Sequence, residues 1–143
     1  MGYSHLQKLG FGMVLALLTF NTLVAQDIDE LKVEVLAKTT QSWNQDTLPA
    51  YGEGQPEVTI LRIIIPAGMQ LPLHKHPVIN AGVLLKGELT VITEGKDKLY
   101  MKAGDSIVEL VNKWHYGKNE GKEAAEIIVF YAGNKDKAIT LTH

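Results

Sequence analysis

The sequence predicts an all-β domain, and three observations indicate this class. Past residue 50, the chain consists of short runs of about four to eight residues rich in Val, Ile, Tyr and Thr. Glycine, proline or charged turn residues interrupt these runs about every 8–12 residues, which is typical of an antiparallel sandwich or barrel. No later stretch has a helical hydrophobic period. One domain, residues 26–143, is therefore expected.

The strands are placed by the turn residues that separate the apolar runs. Eight strands are predicted, at residues 32–38, 58–65, 80–85, 88–93, 98–102, 106–111, 114–116 and 126–131. Residues 43–56 are predicted to form a loop. This loop could lie across the mouth of a barrel. Gly68, Gly87 and Gly104 stand at turns, where a positive φ is expected.

Residues 1–25 are predicted to be a secretory signal peptide. Lys8 is the only charged side chain in this block, and an apolar run follows it. A basic start, a short apolar stretch and a small residue before the cut define such a leader, so Ala25 would precede the mature chain. The alternative is a membrane anchor, but polar residues from position 19 onward interrupt the run before the about 20 residues that a span needs. Export to the periplasm or the medium is expected.

The composition excludes several function classes. The chain has no cysteine, so it has neither disulfides nor thiolate metal ligands. Without the leader, 13 basic and 16 acidic residues give a net charge of −3. Because this balance provides no basic surface, we expect no nucleic-acid partner and, after cleavage, no membrane partner.

The stretch LPLHKHPVIN contains two histidines separated by one residue. Side chains at positions i and i+2 of a strand point to the same face, so His74 and His76 are expected to present both imidazoles to one side. Asn80 has the same parity. Imidazole is the commonest protein ligand of divalent transition metals, and two imidazoles need one or two further partners to hold an ion.

His115 is the expected third ligand, because the only other histidine of the mature chain, His143, is its last residue. The sequence therefore predicts one divalent transition-metal ion, iron, manganese, nickel, copper or zinc, bound by three histidines. The alternative is a cluster of buried histidines without a metal.

These residues have the spacing of two known motifs. Residues 68–87, with His74, His76 and a final glycine, resemble the first motif of the cupin superfamily. Residues 104–119, with His115 and Asn119, are similar to the second, and 16 residues separate the two motifs. The resemblance implies a jelly-roll β-barrel in a small, exported, single-domain bacterial cupin. It also implies a homodimer and a small-molecule ligand at a metal site.

The sequence departs from the family pattern at three positions. Asn80 stands where the first motif normally has glutamate, and Leu110 and Asn112 replace a proline and a glycine of the second motif. The latter two changes affect only a turn. Loss of the glutamate would leave a bound ion with its full charge and would weaken the binding of hard ions. Asn80 is either a direct ligand or a hydrogen-bond partner of an imidazole.

The other polar and aromatic residues are expected to be structural, with Arg62 as the one that has a functional alternative. Arg62 could hold the carboxylate of a substrate or could lie on the outer face of its strand, paired with an acid. Trp114 and Tyr116 flank a histidine and are expected to point away from it. Glu88 and Glu109 are expected to be solvated.

Three functions are consistent with these residues. The first is a metal-dependent enzyme acting on a small molecule, either a dioxygenase-like oxidoreductase or an isomerase. The second is a non-catalytic barrel that binds a metal or a small ligand, and the third is a structural barrel with a vestigial site. The resemblance does not choose among them, because one fold hosts many functions.

Overall fold

The structure is a computed structural model and describes residues 31–143. The described residues contain nine β-strands. The strands are β1 (Pro56–Ile65), β2 (His74–Lys75), β3 (Ile79–Lys86), β4 (Glu88–Thr93), β5 (Lys98–Lys102), β6 (Ser106–Val108), β7 (His115–Lys118), β8 (Ala125–Asn134) and β9 (Leu141–Thr142). The predicted signal peptide lies outside the described residues. Within them, no helix is long and apolar enough to span a membrane.

The strands form two sheets, a four-stranded sheet in the order β1-β8-β3-β6 and a five-stranded sheet in the order β5-β4-β7-β2-β9. All the strand pairs are antiparallel. Apart from the β4-β5 hairpin, consecutive strands alternate between the two sheets. This arrangement agrees with the all-β prediction and with the two sheets of a jelly roll.

The core lies between the two sheets because apolar side chains alternate along their strands. In β8, every second residue from Ala125 to Gly133 is buried, and on β1 it is Ile63 and Ile65 that pack into the core. Burying a large aliphatic side chain stabilises the fold by about 1.5–3 kcal/mol. The alternation thus fixes which face of each strand points inward, and the polar residues that share the inner face become the candidates for a site.

Most of the predicted strands are present with small changes at their ends, but the predicted strand at residues 32–38 is wrong. These residues form no strand and are exposed. Their alternating apolar side chains have no neighbouring strand to pair with, and β-propensity depends on such packing. The predicted loop before β1 is present, and Trp43 packs from it against the core.

The three motif glycines have the expected backbone conformation. Their φ angles are 76° for Gly68, 75° for Gly87 and 95° for Gly104. A Cβ atom at Gly87 would also lie 2.8 Å from the carbonyl oxygen of Ala124, so the close approach of two backbones requires glycine there. Asn112, which replaces a motif glycine, has a φ of 59°, a conformation that asparagine tolerates better than most residues.

Candidate metal centre

Two neighbouring strands and a short extension bring three histidines together. β2 pairs with β7 so that His74 lies directly opposite His115. His76 follows two residues later, where its carbonyl accepts a hydrogen bond from Asn112 N–H at 2.7 Å. The ring centroids are 5.0 Å apart for His74 and His76, 4.6 Å for His74 and His115, and 5.1 Å for His76 and His115. The three imidazoles therefore converge, as the sequence predicts.

The donor atoms of these histidines form a group that could hold a metal ion. One ring nitrogen from each residue lies within 4.8 Å of the other two. His76 and His115 are only 4% and 1% exposed, and His74 is half-buried. A site of this kind excludes most of the water that would compete for an ion.

Backbone carbonyls orient all three rings. Nδ1 of His74 donates to the carbonyl of Pro72 at 2.7 Å, and Nδ1 of His76 donates to Ile139 at 2.9 Å. Nδ1 of His115 donates to Lys113 at 2.9 Å. A carbonyl oxygen only accepts, so in each neutral ring the proton is on Nδ1 and the lone pair is on Nε2. Three Nε2 atoms are therefore free to bind an ion.

Burial keeps the imidazoles neutral, which is the state that binds metals. Removal from water lowers the pKa of His74 and His115 below the usual value, and it lowers the pKa of His76 to about 4. The proximity of the other rings adds to this effect at His76 and His74, because neighbouring imidazoliums repel one another. No proton therefore competes for Nε2 of His76 at neutral pH.

The histidines line a cavity of about 60 Å³ between the two sheets. Its other polar lining residues are Asn80, Glu109 and Tyr131, and the rest are aliphatic side chains and one glycine. Pockets for drug-sized ligands measure about 300–1,000 Å³. This cavity is much smaller, so it suits an ion together with a ligand of few atoms.

Asn80 is buried in this cavity, as its parity with the two histidines predicts. It is 1% exposed, and its amide nitrogen donates to the carbonyl of Val78 at 3.4 Å. Its Oδ1 atom and Nε2 of His115 are both buried without a hydrogen-bond partner among the described residues. Unpaired buried acceptors are costly, and a bound cation or a ligand would satisfy them.

The prediction that Glu109 is solvated is wrong, because its side chain is buried. It is 9% exposed and lines the cavity, with Oε2 at 3.3 Å from Nε2 of His115. Burial raises the pKa of its carboxyl group to about 7, while the N–H of Leu110 opposes this shift. Strand alternation contains a signal for this position, because residue 109 shares its parity with Ile107, a core residue.

Tyr131 is a second cavity residue, and the sequence motifs do not predict it. Its ring centroid lies 5.3 Å from that of His76. Burial, and then the nearby Glu109, raise the pKa of its hydroxyl to about 12. The hydroxyl is therefore protonated at neutral pH, and it can donate a hydrogen bond.

Arg62 lies away from the cavity. Its side chain is 65% exposed and pairs with Glu126 across β1 and β8, with 3.0 Å between Nη1 and Oε1. Trp114 and Tyr116 also lie outside the cavity lining, as expected from alternation about His115. The geometry gives Arg62 the structural role rather than contact with a ligand in this cavity.

Comparison with known proteins supports the fold. The family model described as Cupin domain matches residues 61–131. The DMSP lyase DddQ from Ruegeria pomeroyi DSS-3 is similar, with a TM-score of 0.53 and 21% identity over 59% of this chain and 42% of that chain. An oxalate oxidase in complex with the substrate analogue glycolate gives a TM-score of 0.50 and 26% identity over 59% and 45%.

A cupin-like protein from Thermotoga maritima has a TM-score of 0.52 and 14% identity, over 60% of this chain and 64% of that one. The chain thus spans less than half the length of the lyase and oxidase structures. A sequence search of curated proteins finds no match. The match to the Cupin domain model, the two antiparallel sheets and the similar solved structures together support a cupin fold for this barrel.

Proposed function

We propose that this cupin binds one divalent transition-metal ion through Nε2 of His74, His76 and His115, and presents it to a small organic ligand. The observation that carries the proposal is the set of three hydrogen bonds from Nδ1 to backbone carbonyls. These bonds direct three lone pairs into one buried cavity. A set of imidazole ligands suits iron, nickel, copper or zinc, and an added oxygen ligand suits manganese.

A bound ion supplies Lewis-acid chemistry toward a ligand oxygen. The protein contributes the surroundings: aliphatic side chains exclude water, Tyr131 donates a hydrogen bond, and Oδ1 of Asn80 accepts one. The volume of about 60 Å³ supports a ligand of few atoms. The oxalate oxidase, whose structure holds the two-carbon acid glycolate, supports ligands of this size. We propose a dioxygenase-like oxidoreductase or isomerase, with non-catalytic binding as the alternative.

Metal analysis of protein purified without a histidine tag tests the proposal. We expect close to one equivalent of a divalent transition metal per chain, either as purified or after reconstitution. Protein that binds no such ion in either state would support the structural alternative instead. The loaded protein should then be tested with small acids, thiols and diketones under oxygen. Binding without turnover would favour the non-catalytic alternative.

We also propose that the chain forms a homodimer through the outer face of β1 and β8. Ile60, Ile64 and Phe130 lie on this face and are 63%, 62% and 42% exposed. Two copies of the face would bury this apolar surface and surround the ion pair of Arg62 and Glu126 at its centre. Sedimentation equilibrium should give twice the mass of one chain, and the Ile60→Lys variant should shift toward monomer. A monomeric wild-type protein would contradict the proposal.

A further inference from the structure

Position 80 lacks the acid of the first cupin motif, and the structure places a carboxylate directly beside it. β3 and β6 pair with Ala81 opposite Val108, so the next pair in the same register is Asn80 opposite Glu109. The N–H of Glu109 donates to the carbonyl of Asn80 at 3.0 Å, which extends the ladder. Directly opposed side chains lie on one face of a sheet. Glu109 therefore enters the cavity from the neighbouring strand.

The distance between Glu109 and His115 is that of two ligands of one ion. Oε2 lies 3.3 Å from Nε2 of His115, and Nε2 carries a lone pair because Nδ1 donates to the backbone. An ionised carboxylate also offers only lone pairs, so the two atoms repel unless a proton or a cation lies between them. Two ligands about 2.1 Å from an ion, at angles of about 90–109°, are about 3.0–3.4 Å apart.

The surroundings of Glu109 leave its charge without a basic partner. The described residues that line the cavity include neither lysine nor arginine. The N–H of Leu110 donates to Oε2 at 3.2 Å, which satisfies one lone pair. A buried carboxylate without a paired cation is costly. A divalent ion held by the adjacent histidines would provide the missing positive charge.

We propose that Glu109 is the acidic ligand of this site in place of residue 80, beside Nε2 of His115. The inference rests on the proposed function, since it concerns the same ion. Three neutral imidazoles and one carboxylate then leave the occupied site with one net positive charge instead of two. The acidic ligand then lies at position 109, opposite position 80 on the neighbouring strand. The low affinity for hard ions such as manganese, expected from the loss of the motif glutamate, is therefore not expected.

Replacing Glu109 with glutamine tests this assignment, because the two side chains have the same shape and differ in charge. We expect the Mn²⁺ affinity of Glu109→Gln, measured by competition with a chelator, to fall by at least about tenfold. The visible absorption spectrum of the Co²⁺-loaded protein should also change, because one ligand is lost. Glu88→Gln is the matched control: Glu88 is exposed on β4, and its loss should leave both measurements unchanged.

The outcomes separate this inference from the proposed function. If the wild-type protein binds no divalent transition metal, Mn²⁺ and Co²⁺ included, both fail. If it binds them and Glu109→Gln keeps the same affinity or the same Co²⁺ spectrum, only the assignment of Glu109 as a ligand is overturned. Circular dichroism of the metal-free variant shows whether it is folded. If it is not, Glu109→Asp retains the charge at a shorter reach, and its altered Co²⁺ spectrum would support the assignment while an unchanged one would overturn it.

Discussion

His115→Ala is expected to abolish tight binding of a divalent ion. The side chain belongs to β7, whereas His74 and His76 belong to β2 and its extension, so this one residue connects the two motifs at the ion. Removing it eliminates one of three convergent nitrogens. Loss of a group that hydrogen-bonds to a metal ligand costs about 10–100-fold in metal affinity, and loss of a ligand itself should exceed the upper end of that range.

Metal-dependent stability measures this effect without an assay of activity. Saturating metal, at about 1,000 times the dissociation constant, should stabilise the wild-type protein by about 4 kcal/mol. In His115→Ala, the melting temperature should be the same with and without metal. The matched control is His143→Ala, which removes a histidine outside the cavity lining and should respond to metal like the wild type. A metal response retained by His115→Ala would contradict the three-histidine site.

Acidification is expected to destabilise the metal-free protein. An unfolded histidine titrates near 6.5, whereas His76 titrates at about 4 in the fold. Between these values the unfolded chain binds more protons, so the free energy of unfolding falls as the pH decreases. The loss from His76 alone is on the order of 3 kcal/mol at full protonation. His74 and His115, whose pKa values are also lowered, act in the same direction.

Glu109 contributes to the pH dependence of stability with the opposite sign. Its pKa is raised from 4.5 to about 7 in the fold, so between these values the folded protein binds more protons, and this contribution to stability is lost as the pH rises. Three histidines with lowered pKa values oppose one glutamate with a raised pKa, so we expect a net loss of stability on acidification. Glu109→Gln removes the opposing contribution and should lose stability more steeply than the wild type.

Urea unfolding of chelator-treated protein between pH 7.5 and pH 4.5 checks this expectation. The range stops at 4.5 to limit the contribution of surface carboxylates. His76→Gln, which removes the titrating ring and retains a polar side chain, should flatten the curve. If the free energy of unfolding of Glu109→Gln, which lacks the opposing contribution, does not change over this range, the imidazoles are not kept neutral by burial.

Most of the strands could be predicted because apolar runs and turn residues are properties of the local sequence. The run predicted at residues 126–131 lies within β8, and the turn glycines have the positive φ that their positions require. The same reasoning failed at residues 32–38, where apolar alternation has no partner strand. It also missed β2 and β9, which have two residues each and are too short to show a period.

The site was predicted in part. The spacing of His74 and His76 fixes their common face, and His115 follows from the motif spacing and from the small number of histidines. Glu109 was assigned to solvent because a glutamate on a short strand is usually exposed. Its burial depends on the pairing of β3 with β6, which places Asn80 opposite it so that both residues line the cavity.

By itself, the sequence determined an all-β chain, most of its strands and the three convergent imidazoles, because side-chain parity and turn chemistry are local properties. Only the tertiary structure decided which polar groups share the buried cavity. Strand register and the packing of one sheet on the other exclude water from Glu109 and Tyr131, and burial sets their pKa values. Arg62, one residue from the inward-facing Ile63, was turned by the same packing toward solvent and Glu126.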